Sequence, residues 1–249
     1  MKKAIALLLA TALTAAGCGS GGSKPAATHS PGAIKPTPVN PPGHPSSVRF
    51  VRSVDNPWYP LRPGTTLVYR GVKDGKPSRD VLTVTNATRV IDGVRCTVVS
   101  DLLYLSGKLE ERTTDWYAQD TAGNVWYFGE TTAELNPNGS VKNTSGTWLA
   151  GVKRAQAGIY LPANPRVGQS GRQEYYRGQA EDHYRVKSLS TRVKTPAATS
   201  TQALLTEEWT PLEPGVLDHK LYVRGIGTVL EQTVKGGDER NTLVSVRHG

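Results

Sequence analysis

The run Asp115-Trp-Tyr-Ala-Gln-Asp-Thr-Ala-Gly-Asn-Val-Trp-Tyr-Phe-Gly-Glu130 holds two of the chain's five tryptophans and one of its two phenylalanines. It divides into two aromatic strands, 115–119 and 125–129, around a turn at Asp120 to Asn124. Gly123 and Asn124 tolerate the left-handed backbone of a tight hairpin. Side chains alternate along a strand, so Trp126 and Phe128 share one face and Val125 and Tyr127 the other. A hairpin with rings on both faces needs further strands around it.

Outward from this hairpin the strands come in quick succession. Upstream, Thr65–Gly71 and Arg79–Asn86 flank Asp74-Gly75, and Thr88–Ile91 and Val94–Tyr104 flank Asp92-Gly93, both hairpin signals. Ser106-Gly107 then turns the chain into Lys108–Thr114. Ahead of these, the prolines of Asn56-Pro-Trp-Tyr-Pro-Leu-Arg-Pro-Gly64 favour an extended lead-in, with Trp58 and Tyr59 placed to plug one end of the fold.

Downstream of Asn136-Pro-Asn-Gly139 a strand is expected from Val141 to about Trp148. Residues 151–164 read as the longest connection, with at most one helical turn at Val152–Ala157, and long ordered loops are often lids. Further strands follow at Gly171–Arg177, Ala180–Leu189, Arg192–Thr195, Thr201–Leu212, Val216–Val223, Thr228–Val234 and Arg240–Val246. Short strands with turn signals every eight to twelve residues indicate an all-β antiparallel domain. The expected architecture is a single strongly curved meander, barrel-like or half-open, with a two-layer β-sandwich as the alternative. Curling manages the edge strands that a long meander otherwise exposes.

The chain has 249 residues, and its first fifty or so stand apart in composition. Met1-Lys-Lys3, the apolar run Ala4 to Ala16 and Ala15-Ala-Gly-Cys18 have the form of a secretory signal peptide, assigned to residues 1–17. That run is shorter than the ~20 residues a bilayer-spanning helix needs. Residues 18–52, rich in Gly, Pro and Ser, read as a disordered tether, and 53–249 as the β domain. His29 and His44 fall in the tether and are expected to be solvated.

Leu13-Thr-Ala-Ala-Gly-Cys18 resembles the lipobox of bacterial lipoproteins, in which the cysteine takes a diacylglycerol. Alanine stands three positions before the cysteine, where leucine is commonest. The resemblance implies lipid attachment at Cys18 and an exported protein anchored to the outer face of the cytoplasmic membrane. Simple secretion is the alternative.

The formal net charge is +9. Six basic and no acidic residues lie in 1–52, leaving 24 basic against 21 acidic in the remainder. So balanced a domain lacks the basic stripe that phosphate binding demands, which argues against a nucleic-acid partner. With Cys18 acylated, Cys96 has no second thiol to pair with, and its β-rich surroundings read as core.

The run 116–130, together with Arg172-Gln-Glu-Tyr-Tyr-Arg-Gly-Gln-Ala-Glu-Asp182 and Glu208-Trp-Thr-Pro-Leu-Glu-Pro-Gly215, resembles an uncharacterised family of secreted or lipid-anchored bacterial β proteins. The likeness spans about residues 55–248 and implies no reaction. Relatives can carry a cysteine at the position of Ala203, a plausible partner for the one at Cys96. Alanine there leaves Cys96 as a leftover thiol.

No zinc-protease pair, P-loop, dinucleotide fingerprint or nucleophile elbow is present, and the histidines are too scattered to hold a metal. No cofactor is implied. His183 and His219 read as ordinary strand residues. Carboxylates do cluster: Glu110, Glu111, Asp115, Glu130, Glu174, Glu181, Asp182, Glu207 and Glu208 fall in or beside the three motifs. Such groups suit acid–base hydrolysis, calcium binding, or simply cross-strand pairing with Lys and Arg. The large rings suit a core or the wall of a ligand cavity.

The candidate ligand-binding residues are Trp116, Tyr117, Trp126, Tyr127, Glu130, Tyr160, Glu174, Glu208 and Trp209. The functional expectation is a non-catalytic binding module, held at the membrane by its acyl chains, for an apolar or amphiphilic ligand or another envelope component. The alternatives are an envelope hydrolase using paired carboxylates and a purely structural or protein-interaction module.

Overall fold

A computed structural model describes residues 45–249; the expected signal peptide, Cys18 and most of the expected tether lie outside the described residues. The described chain forms one antiparallel sheet of 15 strands, nearly closed into a barrel with a single seam. In chain order the strands are β1 (Thr66–Lys73), β2 (Lys76–Ile91), β3 (Val94–Leu105), β4 (Lys108–Gln119), β5 (Val125–Leu135), β6 (Val141–Asn143), β7 (Trp148–Leu149) and β8 (Gln156–Leu161). They continue as β9 (Ser170–Arg172), β10 (Glu174–Tyr175), β11 (His183–Lys194), β12 (Thr199–Trp209), β13 (Leu217–Val223), β14 (Gly227–Lys235) and β15 (Arg240–Arg247).

The neighbour order runs β10, β8, β5, β4, β3, β2, β1, β15, β14, β13, β12, β11, β9, while β6 and β7 pair with β5 off this path. The meander is therefore nearly sequential, with one long-range pairing of β1 to β15 (Thr66 opposite Arg247). The hairpins at Asp74-Gly75, Asp92-Gly93 and Ser106-Gly107 have positive φ at both central residues. That backbone follows the right-handed twist of the flanking strands, which explains why the dipeptides were legible.

The curved meander is borne out, and the sandwich alternative is not. Several expected boundaries shift. The separate strands 79–86 and 88–91 are one strand, β2, irregular between Val84 and Thr88. The strand expected over 141–148 splits into β6 and β7. The largest correction concerns 151–164. Only residues 150–155 form a turn, and Gln156–Leu161 is a strand paired with both β5 and β10. The small residues Ala157 and Gly158 hid it, yet a β-carbon on Gly158 would lie 2.5 Å from the backbone of Gln173, so closeness of approach requires glycine there.

The barrel's two terminal strands are joined by the chain itself. Ser170–Arg172 pairs with β11, Glu174–Tyr175 pairs with β8, and Gln173 crosses between them with its N–H donated to the Asp182 carbonyl at 2.8 Å. Residues 54–61 plug the interior. Tyr59 packs edge-on to Tyr117 and Tyr222, and tilted against Tyr160, while Trp58 is buried beneath the Arg224 guanidinium.

The segment just before residue 53 also lies on the barrel. Phe50 bridges to Asp120, and its ring sits edge-on to Trp126 and Phe128 at 5.8 and 5.5 Å. It covers the outer aromatic face of β5.

Candidate functional site

In an ordinary antiparallel sheet the buried face is apolar. Here the inward face carries a belt of acids. The registers place Asp80, Asp101, Asp115 and Glu130 on the same inward face of β2 to β5, each opposite another inward residue: Tyr69 or Leu103, Leu82 or Thr113, Val99 and Asp115. On the other wall Glu208 stands opposite Asp218, and Lys220 opposite Glu231. Burying these groups is costly unless they are hydrogen-bonded or paired.

Much of the belt is so satisfied. Lys220 Nζ lies 2.7 Å from Glu208 Oε2 and 3.5 Å from Glu231 Oε1. Glu208 Oε1 also accepts from Thr206 Oγ1 and Tyr222 Oη at 2.8 and 3.1 Å. Glu111 accepts from the hydroxyls of Thr113 and Thr132, and Asp115 from Tyr127 Oη at 2.7 Å. Burial depresses the ammonium of Lys220, but Glu208 and Glu231 outweigh it and hold its pKa well above the usual lysine value. Lys220 therefore stays charged.

One strand irregularity assembles the site. Trp116 stands opposite Gly129, but Tyr117 stands opposite Tyr127, so Phe128 is an extra residue in β5. Such a bulge resets the alternation, and Tyr127 and Glu130 both turn inward although three positions separate them. Gly129 has φ of 132° and carries the strand under β7, where a β-carbon would lie 2.4 Å from the Trp148 carbonyl oxygen.

Two cavities result. The first, about 20 Å³ and so with room for about one water molecule, is lined by Tyr127, Glu130, Tyr160, Gln173, Glu174, Asp182 and Lys220 and lies at the seam. The second, about 30 Å³, is bounded by Tyr59, Tyr69, Asp80, Asp101, Glu231 and Asn241 among others. Tyr160 lines both, and the Lys220–Glu231 pair spans them.

At the seam the carboxyls disturb one another. Burial, then Asp182 and Glu130, push Glu174 well above the ordinary carboxylate range. The Trp148 indole N–H faces it and opposes this shift, though short of hydrogen-bond geometry. Asp182 is pushed up to about 7 by burial, with Lys220 and Thr210 opposing and Glu208 adding to the rise.

Of the residues singled out in the sequence, the fold brings together Tyr117, Tyr127, Tyr160, Glu130, Glu174 and Glu208 on the inward face. Tyr117 stacks on Tyr127 at 4.8 Å. The fold does not bring Trp116, Trp126 or Trp209 to them. Trp116 lies on the outer face under the Arg89 guanidinium, 4.6 Å from its ring. Trp126 packs against Phe50 and donates Nε1–H to Asp120. Trp209 stacks on His183 at 5.6 Å. Trp116 and Trp126 are buried by cover outside the barrel, and Trp209 is half-buried.

Lys220, Gln173, Asp80, Asp101 and Glu231 were missed as site residues. The available signal was their alternation with apolar neighbours, as in Asp80–Leu82–Val84, which places an acid in register with buried residues. Cys96 is fully buried, and desolvation raises its pKa to about 12, so the thiol is inert core. Among the described residues no group of three His, Cys, Asp or Glu is arranged to hold a metal ion, and no helix is long and apolar enough to cross a membrane.

Two solved structures are similar to this one. A candidate exported protein with a YmcC-like fold from Bacteroides fragilis NCTC 9343 aligns with a TM-score of 0.45 at 14% identity, over 76% of this chain and 98% of its own. A candidate lipoprotein from Parabacteroides distasonis ATCC 8503 aligns at 0.42 and 11%, over 79% of this chain and all of its own. No family model and no curated protein matches the chain.

Proposed function

We propose that the protein is a lipid-anchored envelope module that holds an amphiphilic ligand within its barrel, the ligand's polar end among the inward carboxylates. The observation that carries this reading is the polar belt around two adjoining cavities that share Tyr160. Burying interior charge costs several kcal/mol per ion, a cost that a ligand-binding role would account for. The lining also moves the expected ligand away from a wholly apolar molecule. Glu130, Glu174, Asp182 and Lys220 would strand an acyl chain among charges.

Native mass spectrometry of the exported chain carrying Cys18→Ser, purified without detergent, tests the reading. Retained adducts, or uptake of eight-carbon amphiphiles, support it. A single apo mass with no uptake overturns it. The anchor is tested separately: wild type should partition with membranes and Cys18→Ser should not.

A second reading, hydrolysis by paired carboxylates, is favoured by the meeting of Glu130 and Glu174 at one cavity. Glu174, with its raised pKa, would serve as the general acid. Turnover of a nitrophenyl glycoside panel that disappears in Glu174→Gln would support it, and no turnover by wild type would dismiss it.

A further inference from the structure

We propose that one end of the barrel, the end at which residues 1–44 join it, docks on the surface of an anionic lipid bilayer. This rests on the membrane placement proposed above and not on any ligand inside the barrel.

The antiparallel registers sort the turns into two ends. One end gathers the β4–β5 turn, the β11–β12 turn, the β13–β14 turn, residues 62–65 ahead of β1 and the last residues after β15. Backbone bonds stitch these together: Gly225 N–H donates to the Pro57 carbonyl at 2.7 Å and Gly249 N–H to the Gly64 carbonyl at 3.1 Å. The segment entering the domain is fastened here too. Thr121 N–H donates to the Arg49 carbonyl at 2.9 Å, and Gln119 Oε1 accepts from the N–H groups of Asp55 and Asn56 at 2.9 and 2.7 Å.

The fold sorts charge between the two ends. Arg49, Arg52, Arg62, Lys194, Arg224 and Arg247 are all exposed at the entry end. None of them joins an ion pair among the described residues. The acids beside them are few. Asp55 accepts from Gln119 Nε2 at 2.6 Å, and Asp120 is buried and accepts from Asn124 and Trp126. The β2–β3 tip leans over Gly151 and adds Asp92, but between Arg89 and Arg95. At the opposite end the signs are mixed, with Lys76, Lys108 and Lys235 among Asp74, Glu213 and Asp238.

An anionic bilayer complements the entry end. Each Lys or Arg near such a surface strengthens binding by about fivefold, an effect confined to about a Debye length. Val51, 37% exposed between Arg49 and Arg52, adds an apolar contact for the interface. The cations are spread over a blunt end and form no stripe to follow a nucleic-acid backbone. At physiological salt the contact is too weak to replace acyl chains. It acts because a tether holds the domain at an effective concentration near the millimolar range.

Energy transfer to a headgroup acceptor tests the orientation. Wild-type lipidated protein is reconstituted in phosphatidylcholine vesicles with or without phosphatidylglycerol, with a dye at Ser53→Cys or, at the opposite end, Pro214→Cys. Cys96 is buried and leaves the introduced thiol as the labelling site. With phosphatidylglycerol, transfer from position 53 should exceed that from 214 by at least about twofold, and high salt should abolish the difference. Arg52→Glu/Arg62→Glu/Arg247→Glu should abolish it as well, whereas Lys76→Glu/Lys108→Glu/Lys235→Glu should not. Circular dichroism checks folding, and the lipid dependence of wild type decides the question if a variant does not fold. Equal transfer from the two positions, or a difference indifferent to phosphatidylglycerol, overturns the docking and leaves the anchor standing. Loss of the difference on adding a DNA duplex at equal phosphate marks a nucleic-acid surface and also overturns it. A wild-type chain that does not stay on vesicles overturns the anchor. Sedimentation of the Cys18→Ser protein with the same vesicles at low salt then decides the docking: retention by phosphatidylglycerol alone supports it, and no retention overturns it.

Discussion

Gly129 shows how one residue sets the chemistry of the interior. Its φ of 132° lies where side chains are rarely tolerated, and its α-carbon passes beneath Trp148. Gly129→Ala combines backbone strain of about 1–3 kcal/mol with an overlap that costs about 1–3 kcal/mol more. The midpoint of urea unfolding should fall accordingly. A shift below about 1 kcal/mol would mean that the bulge is not held by this contact. Asp182 permits a second prediction at this scale. Its pKa rises from 3.8 to about 7 on folding, so the folded protein keeps a proton that the unfolded chain has lost. The associated stability is complete below about pH 4 and is lost as pH rises through about 7. The groups that face it are Glu174, Glu208, Lys220 and Thr210. Asp182→Asn should flatten the loss of thermal stability between pH 5 and pH 8. Parallel curves for the two proteins would assign that titration to another group.

Among the elements, β8 is where sequence and structure part most clearly. Hairpins announced by Asp-Gly and Ser-Gly were legible because the turn residues satisfy a local backbone demand. Gln156–Leu161 carries no such signal. Its strand character comes from pairing with β5, thirty residues earlier, and with β10 across the seam. A lid would exchange its amides quickly, whereas a strand paired on both edges resists. Hydrogen exchange should therefore show Ala157 to Leu161 protected to nearly the level of β5, and exchange within seconds would restore the loop reading. Cover was equally hidden. Alternation correctly put Trp126 and Phe128 on one face, but nothing local to β5 says that Phe50 lies over them. Ring-to-ring contact across nearly eighty residues is a tertiary fact. Phe50→Ala should expose both rings, lower stability by about 1–3 kcal/mol and shift tryptophan emission to the red; an unchanged spectrum would show that the strap contributes no cover.

For the whole molecule, the sequence rules fail where the polarity of the sheet is reversed. Along β14 and the residue before it, Ile226, Leu230 and Val234 form the more apolar alternate set, yet Glu231 faces the cavity and Val234 is 45% exposed. The carboxylates were visible as a cluster in sequence, but their convergence depends on barrel closure, which joins β1 to β15 and carries Gln173 across the seam. Such a body depends on its few interior cations. Lys220 is 2% exposed and stands between Glu208 and Glu231. Removing one partner of a buried ion pair leaves an uncompensated charge and costs about 3–5 kcal/mol. Lys220→Met should lose about that much. Adding Glu208→Gln should recover part of the loss, because the two substitutions remove the same interaction and cannot be additive. The comparison requires only chemical denaturation of the two single variants, the double variant and wild type. If the double variant falls by the sum of the single losses, Lys220 does not hold these acids in place, and the charged interior must be stabilised by another route.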